Sequence, residues 1–160
     1  ICGTDYLNAG GFVASVVEKY SIPLNMMPAI FFVVALLLAF STGTSWGTFA
    51  ILLPITVSVF GDQMLPLTVI TTSAVLGGSV CGDHISPISD TTILSSAGAG
   101  CNHINHVSTQ MQYGIVVAVI SAISYLISGW TETAVLGLGI GFVLLGCFIV
   151  FIKQYYKNKG

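Results

Sequence analysis

The chain has 160 residues, 54% of them hydrophobic and only 6% charged, with a mean hydropathy of +0.93. Four Lys and six Asp or Glu are too few to solvate a soluble globule of this length, whereas a surface that faces lipid needs none, so a soluble domain is excluded and an integral membrane protein is indicated. A net charge of -2, with no Arg and no basic patch outside the tail, also excludes nucleic acid as a partner.

Residues 20–152 contain no Lys or Arg, and their only acids are Asp62, Asp83, Asp90 and Glu132. Cys2, Cys81, Cys101 and Cys147 are too dispersed for a disulfide framework. The chain opens on Ile1 with neither a basic leader nor a cleavage pattern, and reads as part of a longer protein.

In chain order, Phe12, Val13, Val16, Val17 and Tyr20 recur at helical spacing with Glu18 and Lys19 on another face, which makes 1–25 an amphipathic or truncated helix. Residues 29–40 and 49–60 are apolar runs on either side of Ser41-Thr42-Gly43-Thr44-Ser45-Trp46-Gly47-Thr48. Twelve residues rise about 18 Å as a helix, against a hydrocarbon core of about 30 Å. Residues 29–60 are therefore expected to form a re-entrant hairpin, with one broken span as the alternative. Residues 64–100 read as a broken membrane helix. An apolar first half runs into Cys81-Gly82-Asp83-His84-Ile85-Ser86-Pro87, where a helix is expected to stop, and a second half is expected to start at Pro87 with Ser86 as its cap and to end near Gly98 or Gly100. The loop from Cys101 to Met111 follows, then membrane helices at 112–130 and 133–152 separated by a turn at Glu132, and a tail at 153–160. Lys153, Lys157 and Lys159 place the C-terminus in the cytoplasm by the positive-inside rule.

Asp83 and Asp90 carry the functional argument. An ionisable side chain within the membrane costs about 2.5–3.5 kcal/mol on the insertion scale and calls for a polar cavity or a partner. No Lys or Arg nearby in sequence offers one, so a cation or a proton is the expected compensation; the alternative is an aqueous loop with both acids solvated. The end of a first half-helix offers free carbonyls and the start of a second offers N–H groups, and Ser and Thr crowd the same stretch. Hard oxygen ligands select an alkali or alkaline-earth ion, Na⁺ at Asp83 and Asp90 in this reading. Burial disfavours the charged form of a carboxylate, so proton and cation can compete for it. Thr44 and Ser45 add hydroxyls at a glycine-flanked tip, which otherwise reads as a polar turn anchored by Trp46. His84 reads as a proton relay or as a hydrogen-bonding neighbour of Asp83. Cys101, His103 and His106 have only a superficial metal-site pattern. Gly137, Gly139 and Gly141 read as a helix-packing face.

The stretches Thr42-Gly43-Thr44-Ser45-Trp46-Gly47-Thr48, Gly82 to Ser96 and Gly100-Cys101-Asn102-His103-Ile104-Asn105-His106-Val107 resemble the NhaC-type sodium/proton antiporter family. The resemblance implies a C-terminal piece of an inverted-repeat ion transporter in the cell membrane. Some members of that family exchange Na⁺ or Li⁺ for H⁺, and others exchange organic acids such as malate and lactate. Motif position together with burial marks Asp83, His84, Ser86, Ser89, Asp90 and Thr91 as ion- or proton-binding.

The expected protein is thus an all-α, polytopic, multi-pass membrane bundle and a Na⁺/H⁺ antiporter rather than an enzyme. The alternatives are an ion-coupled organic-acid exchanger and, from another class, an intramembrane hydrolase, for which no triad is convincingly spaced. Its partners are the lipid bilayer, the exchanged Na⁺ and H⁺, and the remaining part of its own chain; no resident cofactor is expected, and homo-oligomerisation stays open.

Overall fold

The computed structural model describes residues 11–13, 15, 19, 21, 23–60 and 65–157. Most of the expected N-terminal amphipathic helix, Cys2, Asp62 and Lys159 lie outside them. After a 3₁₀ turn at Leu24–Met26 come α1 (Met27–Thr42), α2 (Ser45–Phe60), α3 (Leu65–Ile85), α4 (Asp90–Gly98), α5 (His103–Thr131) and α6 (Ala134–Lys157). Among the described residues there is no strand, and four segments are long and apolar enough to cross a membrane: Leu24–Thr42, Leu65–Ile85, His103–Thr131 and Ala134–Tyr155.

Several boundaries differ from the sequence expectation. The first apolar arm does not stop at Phe40. The hydroxyls of Ser41 and Thr42 donate back to the Leu37 and Leu38 carbonyls at 2.7 and 2.8 Å, which lets both residues stay helical. Gly43 then ends α1 in the left-handed conformation (φ 68°), its N–H on the Ala39 carbonyl at 2.8 Å. With the 3₁₀ turn this arm has 19 residues, so the premise that neither arm can span fails for the first one. The second arm, α2, has 16 residues and stays shorter than a span, at about 24 Å.

Gly77, Gly78 and Gly82 do not end α3, which continues through Asp83 and His84 to Ile85. Gly78 and Gly82 are contact residues instead. A methyl group on either would collide with the backbone carbonyl of Phe32 or Leu36 on α1. Ala35, Ala39 and Ala74 are fully buried, and α1 packs on α3 more extensively than any other pair of elements. Small residues let two backbones approach this closely, and in lipid that close van der Waals contact is the main source of helix association.

Finally, the stretch read as a loop before residue 112 is the first part of a 29-residue α5. Asn102 caps it, its side-chain oxygen accepting the Asn105 N–H at 3.2 Å, and no Gly or Pro interrupts the following two turns. Likewise α6 runs on through Lys153 to Lys157.

Met27 and Phe31 of α1, Leu52 and Phe60 of α2, and Leu67 and Val75 of α3 form the buried core. Against it, α5 presents Tyr125, whose ring lies 5.2 Å from that of Phe32 and whose hydroxyl meets the Ser73 carbonyl at 3.1 Å. The outermost helix, α6, rests on α5. Gly137 and Gly141 face Ser128 and Ser124 there, while a side chain at Gly139 would meet open space, so two of the three glycines expected to pack do so. Leu138, Phe142, Val143 and Phe151 project outward uncovered, as suits a helix facing lipid or further protein.

Candidate functional site

Two helix interruptions come together. One is the pair Gly43–Thr44 between α1 and α2; the other is Ser86–Ser89 between α3 and α4. A β-carbon on Gly43 would sit 2.8 Å from the Ile88 carbonyl oxygen, so only glycine allows the two breaks to touch. The Ser86 hydroxyl donates to the Phe40 carbonyl at 2.7 Å. Phe40 is in the last turn of α1, where carbonyls have lost their intrahelical partners, and Ser86 supplies the missing donor from 46 residues away.

The sequence placed the start of the second half-helix at Pro87 with Ser86 as its cap; it starts at Asp90 instead. Ser86 donates to the Phe40 carbonyl and accepts the Ile88 N–H at 3.4 Å within a turn formed by Pro87 and Ile88, and Ser89 is the extended residue before the helix, its carbonyl accepting the Ile93 N–H at 3.0 Å. At the other break the Thr44 side chain accepts the Gly47 N–H at 3.4 Å and its carbonyl accepts the Thr48 hydroxyl at 2.9 Å, so Thr44 starts α2. The C-terminal ends of α1 and α3 and the N-terminal ends of α2 and α4 therefore flank one small region. Carbonyl-rich and N–H-rich helix ends, of opposite dipole sign, lie side by side there.

One turn before the second break is Asp83, 7% exposed, and its Oδ1 atom is buried without a hydrogen-bond partner among the described residues. A buried carboxylate oxygen in that condition costs several kcal/mol unless something compensates it. Ser86 and Ser89 are fully buried, with the Ser89 and Thr91 hydroxyls 2.7 Å apart. Thr44 and Ser45 are half-buried.

Three expected members are exposed, Thr91 among them. Asp90 is exposed, contrary to the burial expected for it. It begins α4, and its Oδ1 accepts the Thr91 N–H at 2.8 Å, the behaviour of an acid in the first turn of a helix. His84 is exposed too; it follows Asp83 on the helix and so points about 100° round from it. His103, flagged in the sequence only for a superficial metal pattern, instead bonds the Pro87 carbonyl and the Ser96 hydroxyl. Sequence gave no signal for that contact, nor for Gly43 against Ile88.

Residues 6–130 match the model of the Na⁺/H⁺ antiporter family. Over 148 residues the chain is 45% identical to an uncharacterized protein of Haemophilus influenzae, covering 92% of this chain and 28% of the relative. It is 30% identical over 126 residues to the malate-2H⁺/Na⁺-lactate antiporter of Bacillus subtilis, covering 76% of this chain and 26% of the relative. It is 34% identical over 128 residues to the arginine/ornithine antiporter ArcD of Halobacterium salinarum, covering 73% of this chain and 26% of the relative. The chain thus spans about a quarter of the length of these curated relatives. No solved structure matches it significantly.

Proposed function

Because the chain belongs to the Na⁺/H⁺ antiporter family, we propose that the whole protein exchanges Na⁺ or Li⁺ for H⁺ across the cell membrane, with Asp83 as the group that both ions use in turn. The observation that carries this reading is the buried, unpartnered Oδ1 of Asp83 one turn before two abutting helix breaks. A dehydrated Na⁺ needs several oxygen ligands. In this reading the carboxylate supplies charge, the carbonyl ends of α1 and α3 supply dipoles, and Ser89 and Thr44, which stand at the two breaks, supply hydroxyls. A proton satisfies the same carboxylate without those ligands. The occupants are therefore mutually exclusive, and a carrier that reorients only when the site is neutralised exchanges one for the other.

In this reading α1–α2 and α3–α4 are the interrupted elements of an inverted-repeat carrier, with α2 and α4 as arms too short to cross. The C-terminus is cytoplasmic, because Lys153 and Lys157 end the last helix. Na⁺-dependent dissipation of a pH gradient in vesicles holding the full-length protein tests the exchange, with Li⁺, K⁺, malate, lactate and arginine as competing cargoes. A gradient that Na⁺ and Li⁺ leave untouched defeats the cation-exchange reading.

A second reading, ion-coupled exchange of an organic acid, is favoured by one feature. The N-terminal ends of α2 and α4 lie beside the carbonyl ends, and helix N-termini bind carboxylates. The malate/lactate exchanger among the relatives is consistent with it. Counterflow of labelled malate that requires Na⁺ would select this reading over the first.

A further inference from the structure

We propose that His103 is the positioning residue of this ion site, an inference that rests on the antiport reading above. Its ring reaches from the first turn of α5 to two other elements. Nε2 lies 2.8 Å from the Pro87 carbonyl oxygen, and Nδ1 lies 3.0 Å from the Ser96 hydroxyl. A carbonyl can only accept, so Nε2 carries the hydrogen; in the neutral ring Nδ1 is an acceptor and shares the single Ser96 hydrogen with the Ile93 carbonyl, 2.9 Å from the same hydroxyl. Asn102 fixes the turn that presents the ring by accepting the Asn105 N–H at 3.2 Å.

Pro87 is the critical partner. It sits in the second break, directly before Ile88, whose backbone abuts Gly43. A donor on the Pro87 carbonyl therefore fixes the apex that presses against the first break, while the bond to Ser96 fixes α4 relative to that apex. Ser86 on the Phe40 carbonyl holds the start of the break and the Thr92 hydroxyl, 3.3 Å from the His84 carbonyl, ties α4 to α3, while His103 joins the apex itself to α4. A groove of about 610 Å³ lined by Pro87, Ile88, Ile93, Ser96, Ala97 and His103 lies between α4 and the break, so side-chain packing does not fill this space. His106 is different in kind: its Nε2 meets only the Ser95 hydroxyl, at 3.3 Å on the surface, and it touches neither break.

The histidine thus acts through the backbone and has no direct part in holding the ion. Losing the clamp leaves the break free to sample other conformations. The fraction of carriers with a formed site then falls, and apparent ion affinity falls with it.

The test uses full-length protein carrying His103→Leu, His103→Gln, His103→Asn or His106→Leu, with two readouts. In vesicles, His103→Leu raises the apparent KM for Na⁺ roughly tenfold, the equivalent of about 1.4 kcal/mol, at a maximal rate per folded carrier close to that of the parent. By hydrogen–deuterium exchange, the peptide spanning Ser86 to Ile93 exchanges faster in His103→Leu, while peptides from the middle of α3 do not. Gln places an N–H where Nε2 stood and restores both readouts. Asn, whose amide ends a bond short of that point, restores neither, and His106→Leu behaves like the parent. A merely structural histidine would lower the amount of folded carrier and leave its KM unchanged. Unaltered exchange of the 86–93 peptide in His103→Leu overturns the clamp. A changed peptide with unaltered Na⁺ KM overturns its role in affinity. Absence of Na⁺-dependent exchange in the parent protein defeats the cation reading itself, which the peptide measurement distinguishes from failure of the clamp.

Discussion

Replacing Gly82 by alanine places a methyl group against the Leu36 carbonyl on the facing helix, and the same change at Gly78 meets the Phe32 carbonyl. Both obstructions are backbone, so neither can move aside as a flexible side chain would, and α1 and α3 must separate. Overpacking of this kind costs about 1–3 kcal/mol. Alanine's better helix propensity returns about 1 kcal/mol at each position. The net loss expected is up to about 2 kcal/mol per site. Gly139 on α6 supplies the internal control, because a β-carbon there meets nothing within 4 Å. Gly139→Ala keeps the propensity gain without the collision and should be neutral or slightly stabilising. The assay is heat challenge of the purified full-length protein in detergent, scoring the fraction that stays monodisperse. Apparent Tm should fall for Gly78→Ala and Gly82→Ala and fall further for the double change, while Gly139→Ala holds or rises. Equal Tm values for all three single variants would refute the close approach of α1 and α3.

Ser86→Ala removes a side-chain donor that links the two breaks and leaves the Phe40 carbonyl without it; a cost of about 1–3 kcal/mol should appear as lower heat resistance and slower exchange in vesicles. Gly43→Ala combines the left-handed backbone with a β-carbon 2.8 Å from the Ile88 oxygen, so transport should be lost more completely than with Ser86→Ala in the same vesicle assay. Asp90→Asn, on an exposed carboxylate, should cost less than tenfold in exchange rate, because it forfeits only a helix-start interaction of about 0.3–1 kcal/mol.

Much of this arrangement could be read from the chain before folding, and what could not has a common cause. Gly43 and the Ser86-Pro87 pair announced both breaks, since one frees the backbone and the other stops a helix. Lack of neighbouring basic residues pointed to Asp83 as a carboxylate with no basic partner close in sequence. Exact boundaries escaped because they depend on partners distant in sequence. Ser41 and Thr42 look like loop residues until their hydroxyls turn back onto the helix. Gly78 and Gly82 look like breakers until α1 lies against them. Ser86 looks like a cap until Phe40 claims it. Asp90 was grouped with Asp83 because both flank the same motif, yet a three-residue shift in the start of α4 places one inside and the other outside. His103 carried no signal of its clamp contact, as its partner is a backbone carbonyl 16 residues away.

The central claim is that Asp83 is the carboxylate shared by the two exchanged ions, and Asp83→Asn in the full-length protein tests it most directly. The change keeps size and one oxygen while removing the charge. Its buried Oδ1 has no partner among the described residues, so relieving that charge should leave the fold intact or raise its heat resistance by about 1 kcal/mol or more. Na⁺-dependent dissipation of a pH gradient should fall at least a hundredfold, roughly 2.7 kcal/mol of lost coupling. In the parent protein, raising the proton concentration should weaken apparent Na⁺ affinity competitively, because both ions occupy one site. A stable, inactive Asp83→Asn carrier together with that competition is the predicted result; normal exchange by Asp83→Asn, with Na⁺ affinity indifferent to pH, would contradict the account.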